Sequence, residues 1–133
     1  MELLDCTIRD GGYVNNWEFT NEEVKECYKC VSKSGFSYFE IGFRTNKNNK
    51  GKGKWFYCDE EDIFNIKNSI NNGCKISIMT RIEDNNLDID SFLPCNKSAI
   101  DMVRVFLTYE ADEDGTGMSI SKLQKCRDVL IHL

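Results

Sequence analysis

Apolar positions along the chain fall into short strand-like runs separated by longer runs of helical spacing. Leu3 to Ile8 reads as a β-type run that ends at Arg9-Asp10 and the turn signal Gly11-Gly12. Thr20 and Glu23 have the spacing of a capping box, in which the Thr hydroxyl and the Glu carboxylate each satisfy a free N–H of the first helical turn. Val24, Cys27, Tyr28 and Val31 follow at i, i+3, i+4 and i+7, one buried helical stripe that Gly35 ends. Tyr38 to Phe43 is a second strand. Asp59 caps a helix with Ile63, Ile66 and Ile70 on one face, closed by Asn72-Gly73. Lys75 to Met79 is a third strand, Asp90 to Leu93 a short helical turn before Pro94, and Met102 to Leu107 a fourth strand rich in Val and Phe. Ser119 to Leu133 completes the pattern as a helix with Leu123, Cys126 and Leu130 on one face.

A βα unit repeated four times implies an α/β fold with a parallel sheet, because a parallel return needs a crossover. A small open doubly wound sheet and part of a (β/α)8 barrel both have this order, and periodicity does not choose between them. In both, ligands gather at the carboxyl ends of the strands, which places Arg9, Asp10, Arg44, Arg81 and Thr108 on one expected working face.

Composition narrows the class without naming a chemistry. The chain has 133 residues, 41% hydrophobic and 29% charged, as expected of one globular domain. Twenty-two acidic against 17 basic residues give a net charge of −5, so no global basic field draws nucleic acid. No apolar run approaches the roughly 18 residues that a membrane span needs, and no signal-like segment opens the chain. Seven irregularly spaced cysteines read as free thiols of a reducing compartment, and the expected location is cytoplasmic.

Candidate chemistry concentrates at Asp5-Cys6-Thr7-Ile8-Arg9-Asp10-Gly11-Gly12-Tyr13. Asp5, Thr7 and Arg9 share parity, so three polar side chains are expected on one face of a buried strand. Glu40 lies within the apolar second strand, where an unpartnered carboxylate is costly, so it should meet a cation or a metal; Arg9 is the expected partner. Arg104 in the apolar fourth strand reads from its position as a strand-end side chain reaching solvent.

The run D-C-T-I-R-D-G-G-Y with N-N-W-E-F, followed by F-E-I-G-F-R, resembles the opening of the metal-dependent barrel lyases and synthases of the HMG-CoA lyase type, the pyruvate carboxyltransferase domain. Its look is closest to the 4-hydroxy-2-oxovalerate aldolase-like branch, and the likeness runs from residue 3 through the fourth strand. The resemblance implies that residues 1–133 are a single truncated domain of this type, four βα units equivalent to the N-terminal half of a TIM barrel. It also implies carbon–carbon bond cleavage or condensation through the pyruvate-type enolate of a small 2-oxoacid. In that scheme Asp10 binds Mg²⁺ or Mn²⁺, Arg9 stabilises the enolate, Glu40 holds the Arg9 guanidinium, and Tyr13 and Arg104, the latter matching the family's inward-facing arginine, contact substrate.

Three departures qualify this expectation. The family's His-x-His metal ligands are absent, since the one histidine is His132. Tyr13 stands where many members carry Gln or His, and Tyr is a poor base near neutral pH. A full barrel takes about 250 residues. Completion by a complementary half-barrel chain or by a homodimer is therefore expected for activity, the alternative being a non-catalytic half-barrel remnant or an interaction module.

Other motifs read as structural. Cys27-x-x-Cys30 lies within a helix and has no second pair. The basic stretch Arg44 to Lys54 lacks the P-loop pattern and reads as a solvated loop, the functional option being a basic lid, while Trp55, Phe56 and Tyr57 suggest helix-entry packing. Asp112-x-Asp114-Gly115 lacks the final Glu of a calcium loop.

Overall fold

A computed structural model describes residues 1–45, 51–81 and 91–107, together with Gln124 and Cys126–Asp128. The elements are β1 (Leu4–Asp5), α1 (Thr7–Asn15), α2 (Asn21–Lys33), β2 (Tyr38–Phe43), a 3₁₀ turn (Lys54–Phe56), α3 (Glu60–Lys67), β3 (Lys75–Arg81) and β4 (Met102–Phe106). All four strands are parallel and lie in the order β1-β2-β3-β4. A doubly wound sheet reverses its strand order at a switch point, and no reversal occurs among these strands. The sheet is therefore the half-barrel alternative.

Local sequence explains most of the elements. Thr20 Oγ1 accepts from the Glu23 N–H while Glu23 accepts from the Thr20 N–H, so α2 begins at the expected capping box. Val24, Tyr28 and Val31 are buried along its inner stripe, against the sheet. Asp59 precedes α3, but its side chain makes no capping hydrogen bond; Glu60, Glu61 and Asp62 instead place negative charge at the positive end of the helix. Ile63 and Ile66 of α3 join Phe39, Ile41, Ile76 and Ile78 in a fully buried layer. Complete burial of such side chains stabilises by about 1.5–3 kcal/mol each.

The first strand departs from expectation. Only Leu4–Asp5 pair with β2, and the chain turns into α1 at Thr7. The cause is local: the Asp5 carboxylate accepts from both the Thr7 N–H (3.0 Å) and the Thr7 hydroxyl (2.9 Å), a side-chain turn that competes with the β-ladder. Asp10 N–H then donates to the Cys6 carbonyl, the first helical bond. Thr7 and Arg9 thus belong to a helix and share no strand face with Asp5, and Gly11-Gly12 lies inside α1.

Gly12 has a packing role. The Trp17 indole occupies the space that a Cβ would fill, and its N–H donates to the Arg9 carbonyl at 3.0 Å. Trp17 adopts φ 61°, a conformation costly for a bulky residue, and this hydrogen bond and its burial hold it there. Gly42 does similar work in β2, where a side chain would run into the Trp55 carbonyl. A register shift between Glu40 and Gly42 accompanies this close approach.

The expected turn at Asp90–Leu93 begins outside the described residues, as do Thr108, the Asp112–Gly115 motif, Leu123, Leu130 and His132. Gln124 and Cys126–Asp128 are helical, within the expected last helix. All seven cysteines are unpaired. Among the described residues, no helix is long and apolar enough to cross a membrane.

Candidate functional site

The two faces of the sheet differ in chemistry. Glu40 pairs in register with Ser77, and Met79 with Arg104, so alternation along the strands brings Glu40, Ser77, Met79, Met102 and Arg104 to the face opposite Ile76 and Ile78. The same alternation continues to Arg81 and Phe106.

Glu40 is the centre of this face and is fully buried. Its Oε1 accepts from Arg9 Nε at 2.9 Å and from Arg104 Nη1 at 3.1 Å. Its Oε2 accepts from the Ser77 hydroxyl at 3.2 Å and again from Arg104 Nη1 at 3.2 Å. The Cys6 thiol donates to Oε1 at 3.6 Å. Every oxygen is matched, as a buried charge requires. Arg9 is therefore the partner expected for Glu40, although it approaches from a helix rather than from a strand.

The two arginines are spent differently. Arg9 gives Nε to Glu40 and Nη1 to Asp10 Oδ1 at 2.5 Å. Burial alone would lower its pKa, but hydrogen bonds to Glu40 and Cys6 and the charges of Glu40 and Asp10 outweigh that and hold the guanidinium above its ordinary value. Arg104 reaches Glu40 through Nη1 alone, and its side chain is 38% exposed. Of the two readings open for this residue, the inward one describes its contact with Glu40. Burial, then the Glu40 charge, push the Cys6 thiol up, so Cys6 stays protonated and acts as a donor.

Asp10 and Tyr13 lie at the solvent side of this cluster. The Asp10 side chain is 58% exposed and is ion-paired with Arg9. Tyr13 is exposed and packs its ring edge-on against Trp17, at 4.8 Å between centroids. Among the described residues, no group of three or more His, Cys, Asp or Glu side chains converges as a metal site requires. The expected Mg²⁺ or Mn²⁺ is thus not fitted by these residues on their own: Asp10 supplies one carboxylate, already engaged with a cation.

Other candidate cations serve structure. Arg44 is buried, donates through Nη1 to the Cys58 carbonyl and through Nη2 to the Ser91 carbonyl at 2.7 Å, and lies 3.9 Å from Glu60. That corrects its expected place on the working face, because a guanidinium spent on backbone carbonyls has little left for a ligand. Of the basic stretch, Lys52 bonds Asn16 and lies over the Trp17 ring, and Lys54 pairs with Asp62. Trp55 is fully buried at the entry to α3 and donates to the Phe19 carbonyl. Cys27 is half-buried, its thiol pushed up to about 11 mainly by burial, which suits packing rather than redox work.

Sequence reasoning missed two members of the site, Cys6 and Ser77. Ser77 carried a usable signal: a hydroxyl inside the apolar run Lys75–Arg81, in register with Glu40 on the neighbouring strand.

Comparison with known proteins supports the fold and gives its neighbourhood. No protein-family model matches the chain. The crystal structure of the N-terminal domain of a protein assigned as an aldolase, from Bacteroides vulgatus, is similar with a TM-score of 0.71 over 97% of this chain and 42% of that one, at 24% identity. Oxaloacetate decarboxylase of Mycobacterium tuberculosis is 38% identical over 40 residues, which are 30% of this chain and 12% of the decarboxylase. The chain thus spans less than half the length of either protein. The structural likeness supports the fold, a parallel half-barrel sheet that carries the Glu40 cluster on one face, and the short sequence match covers too little of either protein to assign a family.

Proposed function

We propose that the chain is the N-terminal half of an aldolase- or lyase-type barrel that makes or breaks a carbon–carbon bond beside the oxo group of a small 2-oxoacid. One observation carries this reading: a fully buried Glu40 fixes two guanidiniums on one face of the sheet. A buried ion cluster is a poor way to stabilise a sheet, since apolar residues of similar volume do as well or better. It does hold positive charge in a set place before any ligand arrives.

In this reading Arg104 takes the substrate carboxylate on the edge that Glu40 leaves open, and guanidinium geometry suits a two-point contact. Arg9, braced by Glu40 and Asp10, provides fixed charge where the oxo group turns into enolate oxygen. The exposed Tyr13 hydroxyl donates to the substrate at the rim. Asp10 would supply one carboxylate to a divalent ion, which would need further ligands beyond those the described residues offer.

A second reading, a non-catalytic partial domain serving as an interaction module, draws support from the absence of a metal-binding cluster among the described residues. Deuterium exchange at C3 of pyruvate, followed by NMR in D₂O, separates the two. The enzyme reading expects exchange above the buffer rate, falling by about 10²-fold or more in Arg9→Met. Binding without exchange favours the second reading. Pyruvate that neither binds nor exchanges overturns the proposal.

A further inference from the structure

The face that carries Glu40 continues beyond Arg104. Two residues further along each strand, Arg81 and Phe106 form the next pair, and Phe43 stands beside Met79 in the layer between. The Arg81 guanidinium lies 5.6 Å from the Phe106 ring and 6.0 Å from the Phe43 ring. Tyr13 meets Phe43 edge-on at 6.3 Å, which extends the aromatic row towards α1. Phe106 remains 39% exposed, an apolar ring left towards solvent on the face that carries the arginines.

We propose that this row is a subsite for an aryl or bulky apolar group of the substrate, so that the site takes a 2-oxo monocarboxylate with such a tail rather than a dicarboxylate. The inference rests on the oxoacid reading above and adds the class of substrate. Charge selects one carboxylate over two: Arg9, Arg104 and Arg81 outnumber Glu40 and Asp10 by a single charge. A second carboxylate could reach Arg81 only by lying against Met79, Phe43 and Phe106, where it would lose hydration and displace the rings from the guanidinium. Aromatic rings favour Arg81 through their faces without neutralising it, and the exposed Phe106 ring offers a further partner edge-on or stacked. Spacing sets the length of the tail. Arg104 and Phe106 are two residues apart on β4, or roughly 7 Å at about 3.3 Å per residue, which matches a ring carried two methylenes beyond the oxo carbon.

Calorimetric titration of the full chain with 2-oxobutanoate, 4-phenyl-2-oxobutanoate and 2-oxoglutarate tests this. The expected order has the phenyl compound binding about tenfold tighter than 2-oxobutanoate and 2-oxoglutarate no tighter than 2-oxobutanoate. Phe106→Ala, at an exposed strand-end position, should bring the phenyl advantage to near one, and Phe106→Trp should restore it. A phenyl compound that binds no tighter than 2-oxobutanoate overturns the tail subsite and leaves the oxoacid reading standing. So does a phenyl advantage that Phe106→Ala leaves intact. Tightest binding of 2-oxoglutarate overturns the monocarboxylate class. Failure of all three to bind overturns the oxoacid reading itself.

Discussion

Arg44 and Arg104 each stand at or within a sheet strand, in largely apolar surroundings and near a glutamate, yet they do opposite work. Arg44 spends Nη1 and Nη2 on the carbonyls of Cys58 and Ser91 and lies 3.9 Å from Glu60. It ties the link between the 3₁₀ turn and α3, and the segment before β4, to the end of β2. Arg104 spends one nitrogen on Glu40 and keeps 38% of its side chain exposed. What separates a structural arginine from a candidate site arginine is the destination of its donors, which a residue's type and place in the sequence do not state.

The largest expected effect breaks the anchor of the site. Glu40→Ala leaves Arg9 and Arg104 facing each other across a buried gap, and it should destabilise by about 3–5 kcal/mol, read as a fall in the urea midpoint. Arg44→Met should follow, at about 1–3 kcal/mol for the buried contact with the Cys58 carbonyl. If the comparison holds, this loss occurs with oxoacid affinity intact in the protein that remains folded. Gly42→Ala forces β2 away from the Trp55 carbonyl and should cost about 1–3 kcal/mol in the same measurement.

These variants also mark how much could be read from the chain alone. β2 was legible to the residue, because six apolar-rich positions flanked by Ser37 and Arg44 leave little alternative, and the Thr20–Glu23 box placed the start of α2. The Arg9–Glu40 contact was also legible, from the cost of burying a carboxylate alone. The helix at Thr7–Asn15 was not. The alternation of Leu4, Cys6 and Ile8 across its start suggests a strand, and the decisive fact is a short Asp5–Thr7 side-chain turn that periodicity does not weigh. Strand order was undecidable for a related reason: an open sheet and a half-barrel bury similar stripes, and only the uninterrupted run of pairings, β1 with β2, β2 with β3 and β3 with β4, distinguishes them. The fate of Arg44 depends on the carbonyls of Cys58 and Ser91, distant in sequence and invisible to any local pattern.

The smallest effects lie far from both arginines. Thr20→Ala removes the cap of α2 and should cost about 1 kcal/mol near neutral pH. Glu23 sits below the usual carboxylate range, held there by hydrogen bonds from the Thr20 N–H and hydroxyl. A lowered folded-state pKa contributes stability that is present above the unfolded value of about 4.3 and is lost as pH falls through the folded one. The gap between wild type and Thr20→Ala should therefore narrow in acid, and urea curves at neutral and acid pH check it. A gap that widens in acid would contradict the reciprocal cap.

The central claim is that Glu40 fixes a guanidinium whose open edge receives an oxoacid. Its most direct measurement is calorimetric titration of pyruvate into wild type and Arg104→Met, with the urea midpoint of each recorded alongside. The account predicts saturable binding to wild type, a loss of tenfold or more in the variant, and midpoints that differ far less than those of wild type and Glu40→Ala. Equal affinity for the two proteins, or no binding to either, would contradict it.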